Sequence, residues 1–151
     1  MARYFSLLVF LAIVMGGGLL IGFATMPGEW YASLVKPPFN PPNWIFGPVW
    51  TLLYIMIAVA GWRTWQRSRS GSAMKLWIAQ MALNFVWSPV FFAAQMLGVA
   101  LIVIIALLGC IVAFIVQSRR DGDGISSLLF APYAAWVSFA TLLNASLWYL
   151  N

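Results

Sequence analysis

The sequence contains no histidine, a single cysteine and only three acidic residues, Glu29, Asp121 and Asp123. Without histidine, and with no carboxylate inside a hydrophobic run, it lacks the parts for general acid–base catalysis, a zinc site or a nucleophile–base triad. Cys110 stands alone in an apolar run, which excludes a disulfide framework and a thiolate metal site. Charge is scarce throughout: 7% of residues are charged, where soluble domains carry roughly a quarter. Together with a hydrophobic content of 64%, that scarcity identifies an integral membrane protein built as one transmembrane domain. The net charge of +5 does not point to nucleic acid, because the bases lie in short stretches between apolar runs and form no basic face. They are topology signals. The absence of an ionisable group within any span also argues against an ion-coupled carrier.

What the chain has in excess is proline and tryptophan in one place. Glu29 to Trp50 holds Pro37, Pro38, Pro41, Pro42 and Pro48, with Pro27 just upstream, and Trp30, Trp44 and Trp50. Each proline removes a backbone donor and fixes φ, and each residue before a proline is driven to extended geometry. Residues 36–42 are therefore expected to be stiff and non-helical. Such a strap between two spans suits a lid or scaffold; a rigid connector with interfacial tryptophan anchors is the simpler alternative.

Around the strap the apolar runs predict five spans, at about 4–26, 45–62, 76–95, 99–118 and 125–150. The first run of 23 uncharged residues reaches about 34 Å as a helix, enough for a hydrocarbon core of about 30 Å. Arg3 and the run after it also have the outline of a signal peptide, with Gly22-Phe23-Ala24 as a cleavage site, but the run is long for that role. Gly18 and Gly22 have the spacing of a close helix contact. The 43 uncharged residues from Leu76 to Ser118 divide into two spans with a turn near 95–98, and Pro132 is expected to bend the fifth. Five spans put Arg3, Arg63, Arg67, Arg69, Lys75, Arg119 and Arg120 on one side and only Lys36 on the other. The positive-inside rule then places the N-terminus in the cytoplasm and the strap outside, as in a bacterial inner membrane.

Two spans carry side chains that lipid does not explain. Gln80, Asn84, Trp87, Phe91 and Gln95 recur at helical spacing, and polar groups at that depth turn toward partner helices or a cavity. Gln80 and Gln95 suit interhelical hydrogen bonds, Asn84 and Trp87 a lined site. Pro89 is expected to kink this span. In the fifth span Leu129, Tyr133, Trp136, Ala140 and Leu143 share a face with Asn144 at its edge, and Trp136 falls near mid-membrane. Trp50, Tyr54, Trp87, Tyr133 and Trp136 form either an aromatic cavity or a dense core.

Three segments, WYASLVKPPFNPPNWIFGPVWTLLY (30–54), LNFVWSPVFF (83–92) and PYAAWVSFATLLN (132–144), resemble the signatures of the tryptophan-rich sensory protein and translocator protein family (TspO/MBR), also called peripheral-type benzodiazepine receptors. The resemblance runs the length of the chain. It implies an all-α, five-transmembrane-helix bundle whose Pro/Trp-rich loop between the first two spans caps a pocket. It also implies binding of protoporphyrin IX, sterols and synthetic benzodiazepine-type ligands, and frequent homodimers. Trp50 and Trp136 correspond to tryptophans credited with light-dependent porphyrin breakdown, so any enzymatic role would be photochemical. Trp30 and Tyr31 correspond to the lid, Asn84 and Trp87 to the pocket, and Ala140 to the small residue beside it. Tyr54, Phe91, Tyr133 and Asn144 complete the candidate ligand-binding set. The sterol motif lacks its basic residue, since Tyr149 is followed only by Leu150 and Asn151. With no histidine to ligate haem iron, a metal-free porphyrin is the expected ligand and no cofactor is required. A partner-docking regulator and a sterol or lipid carrier are the alternatives; family members also occur in mitochondrial outer membranes.

Overall fold

The computed structural model describes residues 2–151, and among these there is no strand. The helices are α1 (Ala2–Ala24), a short α2 (Glu29–Ser33), α3 (Phe46–Arg67), α4 (Ser72–Ser88), α5 (Leu97–Arg120) and α6 (Gly124–Leu150). A 3-10 turn at Asn43–Ile45 leads into α3, and a π-helical turn at Pro89–Ala93 extends α4. Five helices, all but α2, are long and apolar enough to cross a membrane. They close a ring in the order α1, α3, α6, α5, α4, with the return contact from α4 to α1 much the slighter.

The spans begin and end differently from the apolar runs. Residues 63–75, expected as a loop, are mostly helix: α3 continues to Arg67 and α4 starts at Ser72. Arginine and glutamine are good helix formers, and long basic side chains reach water from a helix that still ends inside the interface. Helix α1 stops at Ala24, where Thr25 turns its hydroxyl back onto the Ile21 carbonyl and Pro27 follows. Helix α6 carries through Pro132, which lies on its exposed side.

Pro89 produces a π turn. The Ala94 amide donates to the Pro89 carbonyl and the Met96 amide to Val90, while Gln95 adopts a left-handed φ of 58°. The wider turn shifts the helical register. Gln80, Asn84 and Phe91 are buried as their spacing implied, but Gln95 is carried off that face into an exposed position. The interhelical role expected of Gln95 is therefore corrected.

The centre of the bundle is filled by Ile57, Ile104, Leu107, Ile111, Phe114, Phe130 and Val137, each almost fully enclosed. Phe114 and Phe130 lie 4.2 Å apart between centroids, and Phe130 meets Tyr133 edge to face at 5.2 Å. Glycine permits the closest approaches between helices: a Cβ on Gly18 would come within 2.5 Å of the Tyr54 ring, and one on Gly61 within 2.4 Å of Trp77. Gly18 thus serves packing within the chain, whereas Gly22 has open space beside it.

At the end of the bundle that carries most of the bases, Asp123 ties three helices together. It caps α6 by accepting from the Ser126 amide, pairs with Arg63 of α3 at 3.0 Å, and its own amide donates to the Ser118 carbonyl of α5. Burial pushes the Asp123 carboxyl up, but hydrogen bonds from the Ser126 hydroxyl, from Arg63 and from the Ser126 amide outweigh it and hold the group below its ordinary range. A carboxyl depressed by folding contributes stability above its unfolded pKa and loses it as pH falls through the folded one. The bundle should therefore weaken below about pH 4, and Asp123→Ala should unfold at a lower temperature with a flattened acid limb. Thermal unfolding in detergent between pH 3 and 7 tests this; an acid limb unchanged in the variant would assign the effect to other groups.

Candidate functional site: an aromatic cavity inside the bundle

Between α1, α3, α4 and α6 lies a cavity of about 510 Å³, within the range of roughly 300–1,000 Å³ typical of small-molecule sites. Its wall is largely apolar. Helix α1 contributes Gly18, Leu19, Ile21 and Gly22, α3 contributes Phe46, Trp50 and Tyr54, and α4 contributes Asn84, Phe85, Trp87 and Ser88. Phe92 of the π turn, Ile104 and Leu107 of α5, and Trp136 and Ala140 of α6 also line it. From the segment between α1 and α3 come Met26, Pro27, Tyr31 and Asn43, at the end of the cavity away from the bases.

Three indoles thus face one space from three helices. Trp50 packs against Tyr54 at 5.5 Å and edge-on to Tyr133 at 6.4 Å. Trp136 meets Phe46 edge-on at 5.7 Å and Trp87 lies 5.0 Å from Phe91. These contacts fix ring planes, so the cavity offers flat, electron-rich faces at little ordering cost. Trp87 is held further by its Nε1, which donates to Asn144 Oδ1 at 3.1 Å, while Asn144 Nδ2 donates to the Leu97 carbonyl at 2.9 Å. Trp136 Nε1 differs: it is buried and has no hydrogen-bond partner.

The polar groups are few and placed at the seams. Thr25 spends its hydroxyl hydrogen on the Ile21 carbonyl, so the 2.6 Å contact between Thr25 and Ser88 has Ser88 donating. That bond joins α1 to α4 where the ring is weakest. Asn84 Nδ2 donates to the Tyr133 hydroxyl at 2.7 Å, and Tyr133 donates to Gln80 Oε1 at 2.8 Å. Outside the spans, Tyr31 donates to Asn40 Oδ1 at 3.4 Å, and Lys36 Nζ closes the end of α2 on the Tyr31 and Leu34 carbonyls. Burial raises the Tyr31 hydroxyl above its ordinary pKa, the Asn40 bond opposing this, so it remains a donor at neutral pH.

Of the residues singled out from sequence, Tyr31, Trp50, Tyr54, Asn84, Trp87, Trp136 and Ala140 reach the cavity wall. Four do not. Trp30 packs on Phe91 at 6.2 Å, and Phe91 is buried behind Trp87. Tyr133 and Asn144 are enclosed one layer further out and act on the wall through Asn84 and Trp87. Asn144, expected at the edge of its helical face, is 1% exposed. Phe46, Phe85, Phe92, Thr25 and Ser88 were missed, as was the contribution of α1. The one signal for α1 was its glycine run, which clears space for the cavity as well as for a neighbouring helix.

A second, smaller cavity of about 380 Å³ lies at the basic end, lined by Thr64, Arg67, Ser72, Gln117, Ser118, Asp121 and Asp123. It is polar and lacks aromatic walls. Among the described residues no group of His, Cys, Asp or Glu is arranged to hold a metal.

The sequence profile of the TspO/MBR family matches residues 9–150. The chain is 38% identical over 144 residues to a tryptophan-rich sensory protein of Cereibacter sphaeroides, covering 95% of this chain and 90% of the relative. It is 36% identical over 148 residues to the tryptophan-rich protein TspO of Archaeoglobus fulgidus, covering 97% and 94%. With the human translocator protein it shares 34% over 139 residues, covering 87% and 82%.

Proposed function

The chain belongs to the TspO/MBR family of membrane proteins, and from that premise we propose that it binds protoporphyrin IX and other flat hydrophobic molecules in the aromatic cavity. The observation that carries the reading is the convergence of Trp50, Trp87 and Trp136 on a single largely apolar space of about 510 Å³. A planar macrocycle gains most from such walls, because ring faces bury its surface without demanding polar partners. The strap acts as a lid in this reading, which its cavity-facing residues Tyr31 and Asn43 support. The base-rich end of the bundle lies in the cytoplasm, following the positive-inside rule. Sensing, carriage and light-dependent breakdown of porphyrin all begin with this binding step.

The test is a titration of the purified protein with protoporphyrin IX in the dark, read by tryptophan quenching, with Trp136→Phe alongside. The substitution removes a donor that has no partner, so it should leave the fold intact while weakening or spectrally shifting saturable binding. Absence of saturable quenching would remove the porphyrin function and favour a role in docking partner proteins. Illumination of the complex then tests the photochemical role: loss of the porphyrin Soret band that vanishes in Trp50→Phe or Trp136→Phe would support it, and loss unaffected by both would end it.

A further inference from the structure

We infer that Gln80, which does not touch the cavity, decides which end of the Asn84 amide faces it, and that this end is the acceptor. The inference rests on the cavity being the ligand site, and it concerns a property of that site which the aromatic wall does not settle.

Gln80 is fully buried, and its Nε2 lies 4.0 Å from Met81 Sδ. A thioether is a weak acceptor and has no hydrogen to give. With the side-chain amide reversed, the carbonyl oxygen would face sulfur lone pairs and lose its donor, so Gln80 must turn Oε1 toward Tyr133. Tyr133, also fully buried, has one hydroxyl hydrogen, and Gln80 Oε1 takes it at 2.8 Å. The phenolic oxygen is left to accept. Its neighbour Asn84 therefore has to offer its NH2, which it does at 2.7 Å. Once Nδ2 is committed to Tyr133, Asn84 Oδ1 is the free end of the amide. It has no partner in the protein and is not sealed off, and Asn84 lines the cavity.

The direction of this relay is a choice. With the hydrogen of Tyr133 released, the hydroxyl would donate to Asn84 Oδ1 and the amide would turn its NH2 to the cavity. Gln80 and Tyr133 are thus positioning residues that act on the ligand through Asn84. The ligand edge that meets Asn84 has to carry an N–H or O–H donor; a carboxylate or carbonyl oxygen there would meet another acceptor and leave both groups desolvated and unpaired.

Two flat tricyclic probes of similar size separate the cases: carbazole, with an N–H donor, and fluorenone, with a carbonyl acceptor. Both are titrated into the detergent-solubilised protein by tryptophan quenching, each corrected for partition into protein-free micelles. The wild type should prefer carbazole by roughly threefold to tenfold, the equivalent of one buried neutral hydrogen bond. Gln80→Met should invert the preference, and Tyr133→Phe, which frees the amide to adopt either orientation, should bring the ratio toward one. Both probes are read on the same preparation, so a loss of folded protein cancels in the ratio. A wild type that prefers fluorenone or shows no preference would overturn the assignment, as would a ratio unmoved in both variants. If neither probe binds saturably, the cavity itself fails as a ligand site and this inference fails with it, whereas binding without preference removes only the polarity.

Discussion

Gly61→Ala is expected to destabilise the bundle by about 1–3 kcal/mol, a large effect for one methyl group. A Cβ at this position would lie 2.4–2.7 Å from Cε2, Cζ2 and Nε1 of Trp77. The indole has no easy retreat, since its Nε1 donates to the Ile57 carbonyl at 3.0 Å and Phe10 meets it edge to face at 5.3 Å. Moving the ring breaks a buried hydrogen bond; moving the backbone separates α3 from α4. Ordinarily alanine is the better helix former by up to about 1 kcal/mol, so intrinsic propensity predicts the opposite sign. Gly22→Ala, at a glycine with nothing within 4 Å, is the control and should be neutral or stabilising. Thermal midpoints of the two variants in one detergent decide the matter, and a Gly61→Ala midpoint at or above wild type would show that the α3–α4 contact is looser than its geometry implies.

Filling the cavity should abolish binding without unfolding the protein. Ala140 sits on the α6 wall one turn beyond Trp136, and in Ala140→Phe the added ring would project into open space lined by other rings. A ligand that shares this space forfeits the burial of about one aromatic group, about 3 kcal/mol, which is roughly a hundredfold in affinity. Saturable quenching by protoporphyrin IX should disappear in the accessible concentration range while the unfolding midpoint stays within a few degrees. Undiminished binding in a folded Ala140→Phe variant would place the ligand outside the cavity, on the lipid-facing surface.

Most of the architecture was legible because membrane spans obey few rules. Every backbone donor in hydrocarbon must be satisfied within the segment, so an uncharged run of about 20 residues can only be a helix. Proline punctuation marked the strap just as directly: residues 34–42 contain no helix in the structure. Helical spacing brought Asn84 and Trp87 together on α4, and Trp136 and Ala140 on α6. It failed at Gln95, because the helix ends with the π turn at Ala93 and Gln95 lies beyond it at a left-handed φ, where helical spacing no longer applies. It failed also at Tyr133, Phe91 and Asn144, for a different reason. Periodicity gives the angle of a side chain around its own helix; whether that side chain ends at the wall or behind it depends on what the neighbouring helix places in front.

The sequence by itself determined that this chain is a bundle of five apolar helices with one proline-rich connection and almost no ionisable chemistry, since those features follow from composition and from hydrogen-bond satisfaction in lipid. Only the tertiary structure decided that α1 supplies a wall of the cavity, that Trp30 packs away from it, and that two buried residues orient the groups facing it. Those outcomes depend on contacts between residues as far apart as Asn84 and Tyr133 or Trp87 and Asn144, and such contacts exist only once the ring of helices has closed.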